Sequence, residues 1–130
     1  MRDLKRNYID LMTASIEFFK GISEELSNVS LRKGKQSGNK IVLMTFKTLK
    51  AIEILNSFTK RAHGNLLLLD TEGEINVEIS QLKFIYGGYE GDELQRVECS
   101  FEIDNEEHWQ RFMRFMNRYA EANGMEYADK

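Results

Sequence analysis

Between His63 and Leu66 the apolar spacing of this chain changes from three-and-four to two, and that switch limits its fold more than any other feature. After it, Leu66–Leu69 is an apolar run. Glu74-Ile-Asn-Val-Glu-Ile79 alternates, Leu82–Tyr86 is a further short apolar stretch, and Leu94 to Ile103 sets Val97, Cys99, Phe101 and Ile103 on one side. Alternation of this kind predicts half-buried strands, with Asp70-Thr-Glu-Gly73 and Gly87–Asp92 as turns.

Before the switch, Leu4, Tyr8, Leu11/Met12, Ile16, Phe19, Ile22, Leu26 and Val29 recur at helical steps. They predict a first helix from about Asp3 to Val29. A second is predicted from Lys47 to Lys60 by Ala51, Ile52, Ile54, Leu55 and Phe58, closed by Lys60-Arg61-Ala62-His63-Gly64. Residues 41–46 read equally as a buried strand or as the opening turns of that helix. A last helix follows Asp104, with Asp104 as cap and Glu107 in the capping-box place. Its core stripe is Trp109, Phe112, Met113, Met116, Tyr119 and Ala120, and Asn123-Gly124 ends it. The expected fold is therefore α+β: two N-terminal helices, a four-stranded antiparallel meander and a C-terminal helix packed on one sheet face. One domain is expected over 1–124, with a frayed tail at 125–130.

Charge is segregated along the same divide. Residues 1–64 hold twelve Lys/Arg against six acids, whereas residues 65–107 hold twelve acids against Lys83 and Arg96. Asymmetry of this size speaks to partners and little to fold. If the alternating apolar residues face inward, then Glu74, Glu78, Glu98 and Glu102 face outward, and the turns add Asp70, Glu72, Glu90, Asp92 and Glu93. This predicts an acidic sheet face that engages a basic protein surface. The bland alternative is a solvated face that keeps the domain soluble. Tyr89 and Phe115 fall off the buried periodicity and are candidate aromatic anchors at an interface.

A basic alternative consists of Arg32, Lys33, Lys35 and Lys40 in the connector, with Arg111, Arg114 and Arg118 in a row on the last helix. These side chains suit phosphate, which makes a small nucleic-acid-binding factor the second reading. No aromatic residue stands beside the connector to stack on bases. The bland account of the row pairs Arg111 with Glu107 and Arg118 with Glu121. Self-association of basic helices with an acidic sheet is the third reading.

Catalytic and metal signatures are missing. His63 and His108 lack ligand spacing, Asp70-x-Glu72-x-Glu74 departs from a calcium loop, and Cys99 alternates with core residues. The chain is expected to be a non-catalytic binding protein with no cofactor and no metal. Inhibition of nucleic-acid-handling machinery is the role that analogy suggests for it. The single cysteine and the interrupted N-terminus predict a cytoplasmic protein without a membrane partner. No motif in these residues names a family.

Overall fold

The computed structural model describes residues 14–34, 38–52 and 64–125. Eight strands come first: β1 (Ser15–Phe19), β2 (Ile22–Glu24), β3 (Asn28–Lys33), β4 (Lys40–Phe46), β5 (Asn65–Asp70), β6 (Gly73–Glu78), β7 (Gln81–Gly87) and β8 (Glu93–Ile103). One helix, α1 (Glu106–Ala122), follows them. All pairings are antiparallel, in two four-stranded sheets of order β2-β1-β5-β6 and β3-β4-β8-β7.

The expected first helix is corrected over every residue described. Residues 15–33 form three strands, because Ile16 and Phe18 point into the core while Ser15, Glu17 and Phe19 alternate with them. Lys20-Gly21 turns the chain between β1 and β2, with Gly21 at φ +95° and its N–H donating to Glu17 Oε1 at 2.8 Å. Two short period-two runs separated by tight turns imitate helical steps when read as one series. The polar connector is the end of a second hairpin, closed by Gly34 N donating to Asn39 O at 2.6 Å. Residues 41–46 resolve as strand β4. The predicted second helix lies mostly outside the described residues, as do residues 3–13 of the first.

The four later strands form where alternation places them, yet they do not make one meander. Ile79 N donates to Gly64 O at 3.2 Å, and the next amide, Ser80 N, donates to Ser100 O at 2.8 Å. At this step the chain leaves the first sheet for the second. The core between the sheets takes Ile16, Leu66 and Leu68 from one, and Val42, Met44, Val97, Cys99 and Phe101 from the other. Phe112, Phe115, Met116 and Tyr119 of α1 complete it.

Helix α1 is capped one residue later than the spacing suggests. Asn105 is the cap, its side chain accepting from His108 N at 2.8 Å. The helix closes in a Schellman turn, Met125 N donating to Ala120 O at 2.8 Å with Gly124 at φ +66°. Residues 126–130 of the expected tail lie outside the described residues. Tyr119 Oη accepts from Leu26 N at 2.9 Å, tying α1 to the segment that links β2 and β3. Beside it Glu24 is buried, its carboxylate accepting from Lys50 N at 2.7 Å and Ala51 N at 3.0 Å. A buried carboxylate is tolerable when backbone donors replace its water in this way.

Candidate protein-binding site

The candidate acidic residues divide into three groups. Asp70 and Glu72, in the β5–β6 turn, face the arginine row of α1. Steps of three and four set Arg111, Arg114 and Arg118 on one side of the helix, above that turn. Arg111 forks onto Asp70, Nη2 to Oδ1 at 2.7 Å and Nη1 to Oδ2 at 2.9 Å. Arg114 forks onto Glu72 at 2.7 and 3.0 Å. Arg118 Nη1 bridges Asp70 at 3.0 Å and Glu72 at 2.6 Å. Neither Arg111–Glu107 nor Arg118–Glu121 is the pairing used by this row. Turn and row pair with each other, which leaves Asp70 without exposed side-chain surface, while Arg114, Arg118 and Glu72 stay partly exposed.

Burial pushes the Asp70 carboxyl up, but its hydrogen bonds to Arg111 and Arg118 outweigh that and hold it below the ordinary value. Arg114 and Arg118 hold Glu72 down as well, at about 2 against an ordinary 4.5. A depressed folded-state value stabilises the fold above the unfolded value, and the stabilisation disappears as pH falls through the folded one. Thermal stability is therefore expected to fall from about pH 4.5 toward about pH 2. Glu72→Gln should flatten that part of a pH series of melting curves.

The second group lies on the sheet exteriors and does not form the expected lattice. Glu74 and Glu78 belong to β6 in the first sheet, Glu98 and Glu102 to β8 in the second. Glu98 accepts from Arg96 Nε at 2.8 Å and stands opposite Lys83 in register. Bases thus interleave the acids on that face. Glu102 accepts from Asn39 Nδ2 at 3.1 Å. Glu74, Glu78 and Glu102 do share the rim of one groove of about 750 Å³ between β6 and the start of α1, floored by Ile75, Ile103 and Phe112.

The third group is the tip of the β7–β8 hairpin. Gly88 and Gly91 both have positive φ, at +88° and +73°, and permit a tight turn that lifts Tyr89 clear of the body. Tyr89 is fully exposed and Tyr86 is 48% exposed, the two large exposed hydrophobic residues among those described. Glu90, Asp92 and Glu93 surround them, all exposed. Phe115, the other candidate anchor, is buried at 0% exposure. It lies three residues after Phe112 and four before Tyr119, so the apolar stripe of α1 is wider than the predicted one and includes it.

The basic candidates are dispersed. Arg32 and Lys33 are exposed on β3, Lys40 sits with its Nζ 5.2 Å from the centre of the Trp109 ring, and Lys35 lies outside the described residues. Among the described residues no group of three His, Cys, Asp or Glu side chains could hold a metal ion. The Cys99 thiol is pushed up to about 12 by burial, which makes it a poor nucleophile.

Among the described residues the chain is a two-sheet antiparallel β protein with one C-terminal helix, and its β7–β8 tip exposes an aromatic ring among acids. The family model described as Psb28 protein matches residues 16–127, and the chain belongs to the Psb28 family. The Photosystem II reaction center Psb28 protein of Acaryochloris marina is 31% identical over 118 residues, covering 90% of this chain and 98% of that one. The protein of the same name from Cyanidioschyzon merolae is 32% identical over 115 residues, covering 88% and 96%. That from Synechococcus elongatus is 34% identical over 121 residues, covering 91% and 99%.

Family membership settles the enzyme question, since Psb28 is a non-catalytic family and this chain is not an enzyme. It also makes a protein partner the right class of partner. Three expectations are overturned: an inhibitor of nucleic-acid-handling machinery, a nucleic-acid-binding factor and a self-associating structural protein do not describe this family. A plain cytoplasmic protein is corrected as well, because the relatives are named for a photosystem, which is a membrane complex. Among the described residues no helix is long and apolar enough to cross a membrane.

Proposed function

We propose that this chain is a non-catalytic accessory protein that docks on a protein component of the photosystem II reaction centre, using the β7–β8 hairpin tip against a basic stretch of that partner. The membership and the names of its relatives support the first part. One observation carries the second: Tyr89 is fully exposed at the end of a glycine-shaped turn, among Glu90, Asp92 and Glu93. A large apolar ring held in water is unfavourable in the free protein and becomes an anchor when a pocket receives it. The surrounding carboxylates orient and speed the encounter with a basic surface more than they add affinity.

Titration of the labelled chain against purified photosystem II complexes tests this. Tyr89→Ala should weaken binding about tenfold or more, the usual loss at an aromatic hot spot. Replacing Glu90, Asp92 and Glu93 with Gln should slow association and reduce its salt dependence. Unchanged affinity for Tyr89→Ala, with loss on Glu74→Gln and Glu78→Gln, would move the contact from the tip to the groove along β6. Absence of binding by the wild-type chain would overturn the docking itself.

A further inference from the structure

Among the described residues β6 is the last strand of the first sheet, and the groove of about 750 Å³ runs between it and the start of α1. Alternation turns Ile75 and Val77 of β6 inward, where they line this groove and stay half-buried. Ile103 of β8 and Phe112 of α1 complete an apolar floor. Carboxylates stand on both rims. Glu74 and Glu78 hold the β6 side, and Glu102 and Asp104 hold the side where β8 gives way to α1. All four are exposed. The arginine at the groove, Arg111, is engaged by Asp70 through two hydrogen bonds. The result is an apolar lane between two acidic banks.

We propose that this groove receives a short helix of a partner protein, one whose apolar stripe is flanked on both sides by Lys or Arg. The rims select the charge. A basic flank meets a carboxylate on either bank, and an acidic segment is repelled from both. The arrangement of floor and rims selects the helix. A helix sets its flanking residues to the left and right of the stripe, at the level of the two banks. A strand instead sends alternate residues down to the floor and up to solvent, away from the banks. Charged side chains such as Glu74 and Glu78 are also a device that guards a sheet edge against strand addition. Length agrees as well. Glu74 to Glu78 spans about 14 Å at about 3.4 Å per residue, which about nine residues of helix cover at a rise of about 1.5 Å. The groove shares no lining residue with the β7–β8 tip, so this contact is separate from the docking proposed above and does not rest on it.

Titration of the isotope-labelled full chain with the end-blocked peptide Lys-Leu-Ala-Lys-Lys-Leu-Ala-Lys-Lys-Leu-Ala-Lys, followed by NMR, tests the proposal. Amide shifts are expected to centre on β6, the end of β8 and the first turns of α1, and the bound peptide should be helical. Glu74→Lys with Glu78→Lys should weaken binding at least tenfold. Both positions are exposed, so the variant is expected to keep its circular dichroism spectrum. The same peptide with Glu in place of every Lys should not bind, and Tyr89→Ala should bind the basic peptide as the wild type does. No shift at about 1 mM peptide, shifts confined to the β7–β8 tip, a bound peptide that is extended, or unchanged affinity in the charge-reversed variant would each overturn the groove as a helix site. The probe contains no photosystem component. A wild-type chain that binds photosystem II but not the peptide therefore fails this proposal alone, and one that binds the peptide but not photosystem II fails only the docking.

Discussion

Asp70→Ala is expected to destabilise the fold by about 3 kcal/mol, read as a lower denaturant midpoint at neutral pH. The Asp70 side chain has no exposed surface and accepts from Arg111 Nη1 and Nη2, Arg118 Nη1 and Glu72 N. Its removal leaves Arg111, itself only 19% exposed, with Gly73 O at 3.2 Å and Glu72 Oε1 at 3.7 Å but without the carboxylate it forks onto. Breaking a buried pair from one side costs about 3–5 kcal/mol, and the partial exposure of both arginines places this case at the lower end. The pair as a whole contributes much less than its removal costs, because both charges had to be desolvated. Asp70→Ala combined with Arg111→Met should therefore recover part of the loss. A change under about 0.5 kcal/mol for Asp70→Ala would mean that the pair behaves as a solvated surface bridge.

That network also marks the boundary of what the sequence could reveal. The arginine row was legible, because steps of three and four define a helix face, but its partners were not. Asp70 and Glu72 lie 41 to 48 residues away along the chain, and only the packing of α1 over the β5–β6 turn brings them together. Local alternation likewise places β5 to β8 within a residue or two. It cannot distinguish a meander from a chain that changes sheets at Ser80, since both leave the same period in the sequence. The N-terminal strands depart from the helical spacing for a sharper reason. Hairpins as short as β1–β2 merge two period-two series, and Phe18, which breaks the helical series, is the residue that betrays the strand. Tyr89 was legible because a glycine-rich turn between strands has no core side to offer it.

Phe115 and Tyr89 should separate completely when truncated, although both fall off the simplest apolar pattern. Phe115 is fully buried, with its ring stacked on Tyr119 at a centroid distance of 5.9 Å. Phe115→Ala is expected to cost about 3–5 kcal/mol, combining lost transfer energy with a cavity that the two sheets and α1 cannot easily close. Tyr89→Ala removes a ring that contributes nothing to the core, and its effect on stability should stay within about 0.5 kcal/mol. Denaturant curves for the two variants check the first contrast, and titration against photosystem II complexes at a temperature where both are folded checks the second. There Tyr89→Ala is the variant expected to lose binding, with folded Phe115→Ala retaining it. A stable Phe115→Ala that fails to bind would place the interface on α1, and the outward turn of the β7–β8 tip would then need another explanation.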